Sequence, residues 1–145
     1  MLCDYTNVLN DGNLIDWPNF FTRKCLYRIT TREAEERNEL LSIMLCDSME
    51  MLFDRVEATE KANIYEPHFY RHVLSDSKVL SESDDALILR TNFYCVRTML
   101  SGDMMLFAAG KYIDEVVRDG DRHLFRSKTV VLDHSKIDTL VAIPL

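Results

Sequence analysis

The sequence predicts an α+β fold in which a strongly curved antiparallel sheet carries helices on its concave face. Three observations predict it. Before Asn63 the apolar residues recur mostly at helical spacing, and after it they fall at every second position. Two hairpin signals, Ser101-Gly102-Asp103 and Asp119-Gly120-Asp121, punctuate the second part. Several runs between such signals reach a dozen residues or more. A strand of that length spans about 40 Å at roughly 3.3 Å per residue, more than the diameter of so small a domain, so the sheet must bend.

Leu2, Tyr5, Val8 and Leu9 give the first helix, which Asn10, Asp11 and Gly12 stop. Its short lead-in reads as an internal start or a short helix. Asn13 is placed to cap a second helical turn through Ile15, Trp17, Phe20 and Phe21, which gathers aromatics at one end of the core. Lys24 to Thr31 alternates as a strand. Arg32 to Glu39, six of whose eight residues are charged, is expected to be a solvated excursion. Leu40 to Cys46 reads as a strand or a buried connection.

Asp47, with Glu50 three residues later, predicts a helix N-cap. In that helix Met49, Leu52, Phe53 and Val56 mark the packed face. Strands are expected at Arg71 to Leu80, Ala86 to Met99, Met104 to Arg118, Arg122 to Asp133 and Thr139 to Ile143. Gly110, inside one of the longest, is the natural position for a bulge or kink.

At 145 residues the chain has the length of one domain, 1–145, and 47% hydrophobic content suits one ordinary core. A net charge of −7 repels phosphate backbones and anionic lipid, which disfavours nucleic-acid and membrane-surface roles. The longest apolar runs are too short to span a bilayer. Cys3, Cys25, Cys46 and Cys95 form no Cys-X-X-Cys pair, and with no signal peptide ahead of them they read as buried reduced thiols of a cytoplasmic protein.

Chemistry-bearing patterns are sparse. His68 and His72 have i, i+4 spacing, but Phe69, Tyr70 and Arg71 fill the gap where a zinc protease carries its Glu, and Pro67 argues against a helix. They are expected to be loop residues bonded to backbone. Asp47, Tyr27 and His72 could supply acid or base groups to a pocket between helix and sheet. Their positions are equally explained by capping and packing. Asp54 and Arg55 read as surface or interface charges. No Gly-rich phosphate loop, nucleophile elbow or Cys/His pair is present. The expectation is therefore no catalytic, cofactor-binding or metal-binding residue, and a module that acts through its surface. Apolar residues on both faces of Phe93-Tyr94-Cys95-Val96, and the apolar end Val141 to Leu145, suit that role, although the end could equally dock onto its own core.

Trp17-Pro18-Asn19-Phe20-Phe21-Thr22 followed by Cys25-Leu26-Tyr27-Arg28 resembles the small (beta) subunits of Rieske-type aromatic-ring-hydroxylating dioxygenases. So do Asp47-Ser48 with Met51 and Asp54-Arg55, then Ala62 to Pro67 with Tyr70-Arg71-His72. Val131-Leu132-Asp133 and Asp138-Thr139-Leu140 to Leu145 complete a match in collinear order. The wording is nearest to the enzymes of aromatic acids: terephthalate, salicylate and anthranilate.

The resemblance implies the cone of the nuclear-transport-factor-2-like superfamily. It implies a non-catalytic role beside a large (alpha) subunit that holds a Rieske [2Fe–2S] cluster and a mononuclear Fe(II), fed from NADH by a reductase. It further implies an α3β3 hexamer in which small chains touch one another and the large chains, inserting oxygen from O2 into an aromatic acid. A Rieske centre requires Cys-X-His and Cys-X-X-His, and none of the four Cys is followed by His at either spacing. The competing readings are a free-standing cone isomerase or dehydratase and a small-ligand-binding cone.

Overall fold

A computed structural model describes residues 1–61, 67–135 and 143–145. The first helix is α1 (Leu2–Asn10), followed by a 3-10 helix (Leu14–Phe20), strand β1 (Phe21–Thr31) and a short helix α2 (Arg32–Glu36). After β2 (Met44–Cys46) and α3 (Met49–Lys61) come β3 (His68–Leu74), β4 (Lys78–Glu82), β5 (Ala86–Met99), β6 (Met104–Asp119) and β7 (Arg122–Leu132). The expected strand at Thr139–Ile143 and the Ala62–Glu66 stretch lie outside the described residues, except that Ile143 packs against the core.

The strands form one sheet in the order β2-β1-β7-β6-β5-β3, with β4 pairing the other half of β5. The two hairpins form where the turn residues place them, Gly102 at φ 93° and Gly120 at φ 61° supplying the left-handed backbone. Phe93 and Cys95 turn inward and are buried, whereas Tyr94 between them faces out. α1 lies in the concave face. Its Tyr5 meets Lys128 of β7, and its Asn10 meets His72 of β3.

Several expectations are corrected. The sheet is not wholly antiparallel: β1 runs parallel to β7, with Ile29 beside Val130. A strand at the start of the chain thus lies beside one near its end, and no local signal announces that pairing. The run Arg71–Leu80 is two strands: β3 starts at His68 and ends at Leu74, and Ser75 to Ser77 break it from β4, with Ser75 bonded to Asn92. Leu40–Cys46, expected as a strand or a buried connection, is a strand over Met44–Cys46 only, and Leu40 is 93% exposed. Arg32–Glu39 is solvated but ordered: the Thr31 hydroxyl accepts from the Ala34 N–H and starts α2.

Gly110 is not a bulge. Pairing with β5 runs unbroken through it, Gly110 facing Phe93, and on the other side Gly110 and Leu132 are the end pair of β6 with β7. A Cβ there would stand 2.1 Å from the Val131 carbonyl oxygen, so glycine permits a close strand approach. The bulges that bend the sheet lie elsewhere, between Cys95 and Val96, between Glu115 and Val116, and between Phe21 and Leu26.

The cap of α3 is shifted by one residue from the expected Asp47. The Ser48 hydroxyl accepts the Met51 N–H at 3.3 Å, and Asp47 is exposed. The packed face shifts too: Leu52, Val56 and Thr59 are buried, while Phe53 is 49% exposed. One residue is about 100° of helix, which is enough to turn Phe53 away from a narrow line of contact with the sheet. Leu52→Ala is expected to cost 2–5 kcal/mol and Phe53→Ala less than about 1, on the usual scale of buried and surface truncations. Chemical denaturation of the two variants checks this, and equal losses would contradict the assignment.

Candidate functional site

Alternation on the long strands aims Tyr112, Asp114 and Val116 of β6 and Lys128, Val130 and Leu132 of β7 at the interior. A charge at an inward position must find a partner, and here two do. Lys128 Nζ lies 3.1 and 3.2 Å from the two carboxylate oxygens of Asp114, and both residues are 0% exposed. The ammonium also sits 3.6 Å from the Tyr112 ring centre, 4.5 Å from Tyr5 and 4.6 Å from Phe125. Burial pushes the Asp114 carboxyl up and the Lys128 ammonium down, and each opposes the other's shift.

Above this pair a polar relay closes the core. The Trp17 Nε1–H donates to the Tyr5 hydroxyl at 3.3 Å. Tyr5 and Tyr27 both donate to the Leu145 carbonyl, at 2.9 and 3.1 Å, and the Leu145 N–H donates to the Tyr27 hydroxyl at 2.9 Å. The apolar chain end therefore docks onto its own core, with Leu145 fully buried. Both phenols are raised by burial first of all, which keeps them protonated.

The histidines are not loop residues. His68 and His72 stand on β3, on the same side of the strand as Tyr70, whose ring centre is 4.7 Å from one and 6.2 Å from the other. Four residues along a strand are roughly 13 Å, so the spacing that would join two rings on a helix separates them here. Asn10 Oδ1 accepts from the His72 backbone N–H at 2.9 Å and faces Nδ1 at 2.8 Å, which sets that nitrogen as the protonated one. Burial, and then the charge of Lys128, hold the imidazole down to about 4, so it is neutral at pH 7.

Asp47, Tyr27 and His72 are not assembled into one site. Tyr27 and His72 are inside, whereas Asp47 is outside, on a surface recess of ≈770 Å³ that it lines with Arg23, Lys24, Cys25, Ser48 and Arg126. The cysteines offer no ready nucleophile. Burial pushes the Cys25 thiol up to about 11 and the Cys95 thiol up to about 12, and it raises Cys46 as well. Cys3 is exposed, contrary to the expectation that all four are buried, because it lies off the packed side of α1. Among the described residues no group of three or more His, Cys, Asp or Glu could hold a metal, and no helix is long and apolar enough to cross a membrane.

Sequence reasoning missed Asp114 and Lys128 altogether. The signal was present, since each shares strand parity with its apolar inward neighbours, but a charge in an alternating strand reads by default as an outward one. The curved sheet with α1 against it has the fold of a cone of the nuclear-transport-factor-2-like type, around a buried cluster of side chains.

Residues 6–139 match the family model for the ring hydroxylating beta subunit, and the chain belongs to that family. It is 36% identical over 141 residues to the anthranilate 1,2-dioxygenase small subunit of Burkholderia cepacia, covering 97% of this chain and 88% of the relative. It is 33% identical to the terephthalate 1,2-dioxygenase terminal oxygenase component subunit beta 1 of a Comamonas species, covering 97% and 92%. A crystal structure described as the beta subunit of an aromatic-ring-hydroxylating dioxygenase from Novosphingobium aromaticivorans superimposes with a TM-score of 0.90 at 32% identity, covering 99% of this chain and 91% of the other.

Removing one member of the buried pair leaves an unpaired charge, so Lys128→Ala is expected to cost about 3–5 kcal/mol. The double replacement Asp114→Leu with Lys128→Met is expected to cost less than that single change. Additive losses in a double-mutant cycle would show that the two groups are not coupled.

His72 gives a pH signature. Its folded value of about 4 lies below the ordinary 6.5, so the unfolded chain takes up the proton first as pH falls. The stability it contributes is complete above pH 6.5 and is lost towards pH 4, by about 3 kcal/mol at 1.36 kcal/mol per pH unit. Urea titrations between pH 7 and pH 4 should show this slope reduced in His72→Gln, and an unchanged slope would remove His72 as its source.

Proposed function

We propose that this chain is a non-catalytic, structural subunit of an aromatic-ring-hydroxylating oxygenase that inserts oxygen from O2 into an aromatic acid. The observation that carries the reading is the buried Asp114–Lys128 pair inside the cone. Where a cone enzyme would keep a pocket with an acid or base, this chain has the Asp114–Lys128 pair packed among Tyr5, Tyr112 and Phe125. Membership of the beta-subunit family supports it, as do relatives named as subunits of dioxygenases of anthranilate and terephthalate.

On this reading residues 1–145 form one domain that works in the cytoplasm and binds no iron. The oxygen chemistry belongs to a large subunit with a Rieske [2Fe–2S] cluster and a mononuclear Fe(II), supplied with electrons from NADH by a reductase, in an assembly of three large and three small chains. This chain's donors suit that division: its three buried thiols are held protonated, and His68 and His72 are parted by the Tyr70 ring. Its own contribution is a rigid surface that holds the large chains in register.

Co-expression with the large chain tests the proposal. The tagged small chain is expected to capture a protein carrying Cys-X-His and Cys-X-X-His, and the complex to contain iron in proportion to the large chain. His68→Ala should leave that iron content unchanged. Stoichiometric iron on the isolated small chain, or its turnover of a ketone or hydroxy acid without companions, would replace this reading with that of a free-standing cone enzyme.

A further inference from the structure

We propose that the ring-walled cradle around Leu145 is a binding site for a small, uncharged aromatic amide, which the chain's own Leu145 occupies as a built-in competitor. The inference goes beyond the subunit reading and concerns the inside of the cone.

Three elements build the cradle. Tyr5 comes from α1, Trp17 from the 3-10 helix and Tyr27 from β1, and all three are 0% exposed. Their rings meet edge to face: Trp17 lies 5.0 Å from Tyr27 and 5.6 Å from Phe21, at interplanar angles of 87° and 74°. Within these walls two hydroxyls converge on one oxygen, since Tyr5 and Tyr27 both donate to the Leu145 carbonyl. The Trp17 indole donates to the Tyr5 hydroxyl and so helps to aim it. A few aimed polar groups among aromatic walls are the usual make-up of a small-molecule site.

Leu145 is held there as a ligand is held. Its N–H and C=O are bonded to tyrosine side chains rather than to a neighbouring strand, and residues 143–145 belong to no helix or strand. One group is left over. The Tyr112 hydroxyl is buried, on a ring 6.4 Å from that of Tyr5, and it has no hydrogen-bond partner among the described residues. Tyr27 is its strongest electrostatic neighbour. Buried polar groups are seldom left unpaired, so the orphan hydroxyl points to an occupant with more polar atoms than Leu145 presents.

The donors define that occupant. An oxygen that accepts from two hydroxyls, with an N–H close by to give to Tyr27, is the pattern of an amide. The ring walls favour a flat aromatic body. Benzamide has both features and about as many non-hydrogen atoms as a leucine residue. A carboxylate does not suit the site. Lys128, whose ammonium lies 4.5 Å from the Tyr5 ring, is already paired with Asp114, so a second buried anion would stand uncompensated.

Trp17 is the single tryptophan of the chain, so its indole N–H resonance reports on the cradle alone. The isotope-labelled full chain is titrated with benzamide beside a chain that ends after Ile143. A competitor lowers apparent affinity by the fraction of time the site is open. Benzamide is therefore expected to move the indole resonance in both chains and to bind the shortened one at least about tenfold more tightly. Leu145→Ala in the full chain keeps the backbone and loses the side-chain anchor. It should fall between the two, and it carries the comparison where the shortened chain gives no folded spectrum. Tyr27→Phe in the same background should weaken binding by about tenfold, on the scale of one hydrogen bond. Benzoate at pH 7 should leave the resonance in place. An indole signal that benzamide never moves would overturn the proposal, as would equal affinities with and without the Leu145 anchor. Binding indifferent to Tyr27→Phe would put benzamide outside the cradle and also overturn it. Benzoate bound as tightly as benzamide would overturn the uncharged class.

Discussion

An ammonium and a carboxylate with no access to water cannot be left apart, and the core of this protein is organised around that constraint. Desolvation of each costs several kcal/mol, so the structure must supply both the contact and a polarisable surround. Lys128 and Asp114 stand on adjacent strands, with both carboxylate oxygens within reach of Nζ. Tyr5, Tyr112 and Phe125 turn ring faces toward the ammonium. Because Tyr5 belongs to α1, the same contact seats the helix in the concave face. Because Tyr5 and Tyr27 bond Leu145, it is continuous with the docking of the chain end.

Filling a cone in this way has a functional consequence. A pocket between helix and sheet is the feature that lets such a fold hold a small molecule, and here the ion pair, stacked rings and the Tyr5 and Tyr27 hydroxyls bonded to Leu145 stand between them. Apolar side chains stand on the outer faces at both ends of the sheet, and Asp47, Glu50 and Asp54 are exposed beside one of them. A packed interior and an apolar outer face are what a scaffold needs, since a partner is held in register only by a surface that does not yield.

Much of the architecture was legible along the chain. Ala86–Met99 was read to the residue, and Met104–Asp119 and Arg122–Leu132 to within one, because Gly102 and Gly120 mark the turns and the side chains alternate. The α3 cap and face each stand a small shift from the periodicity, at Ser48 in place of Asp47 and turned from Phe53 towards Thr59. Caps and helix faces are decided by single hydrogen bonds and by the line of contact with the sheet, which the periodicity locates only to within a residue. His68 departs further from expectation. Its neighbour Pro67 points to a loop, but the paired length of β5 opposite carries β3 back as far as His68.

By itself the sequence determined the kinds of element, the hairpins, the need for curvature and the family resemblance, since each is written in residues close together in the chain. Which elements meet was decided only by the tertiary structure. The parallel pairing of β1 with β7 and the bond from Tyr5 to Leu145 join residues that no local pattern connects, and the bulge between Glu115 and Val116 decides that Asp114 meets Lys128 across the β6–β7 hairpin. Alternation tells a side chain which way to face, and only closure of the whole sheet around α1 determines what it faces.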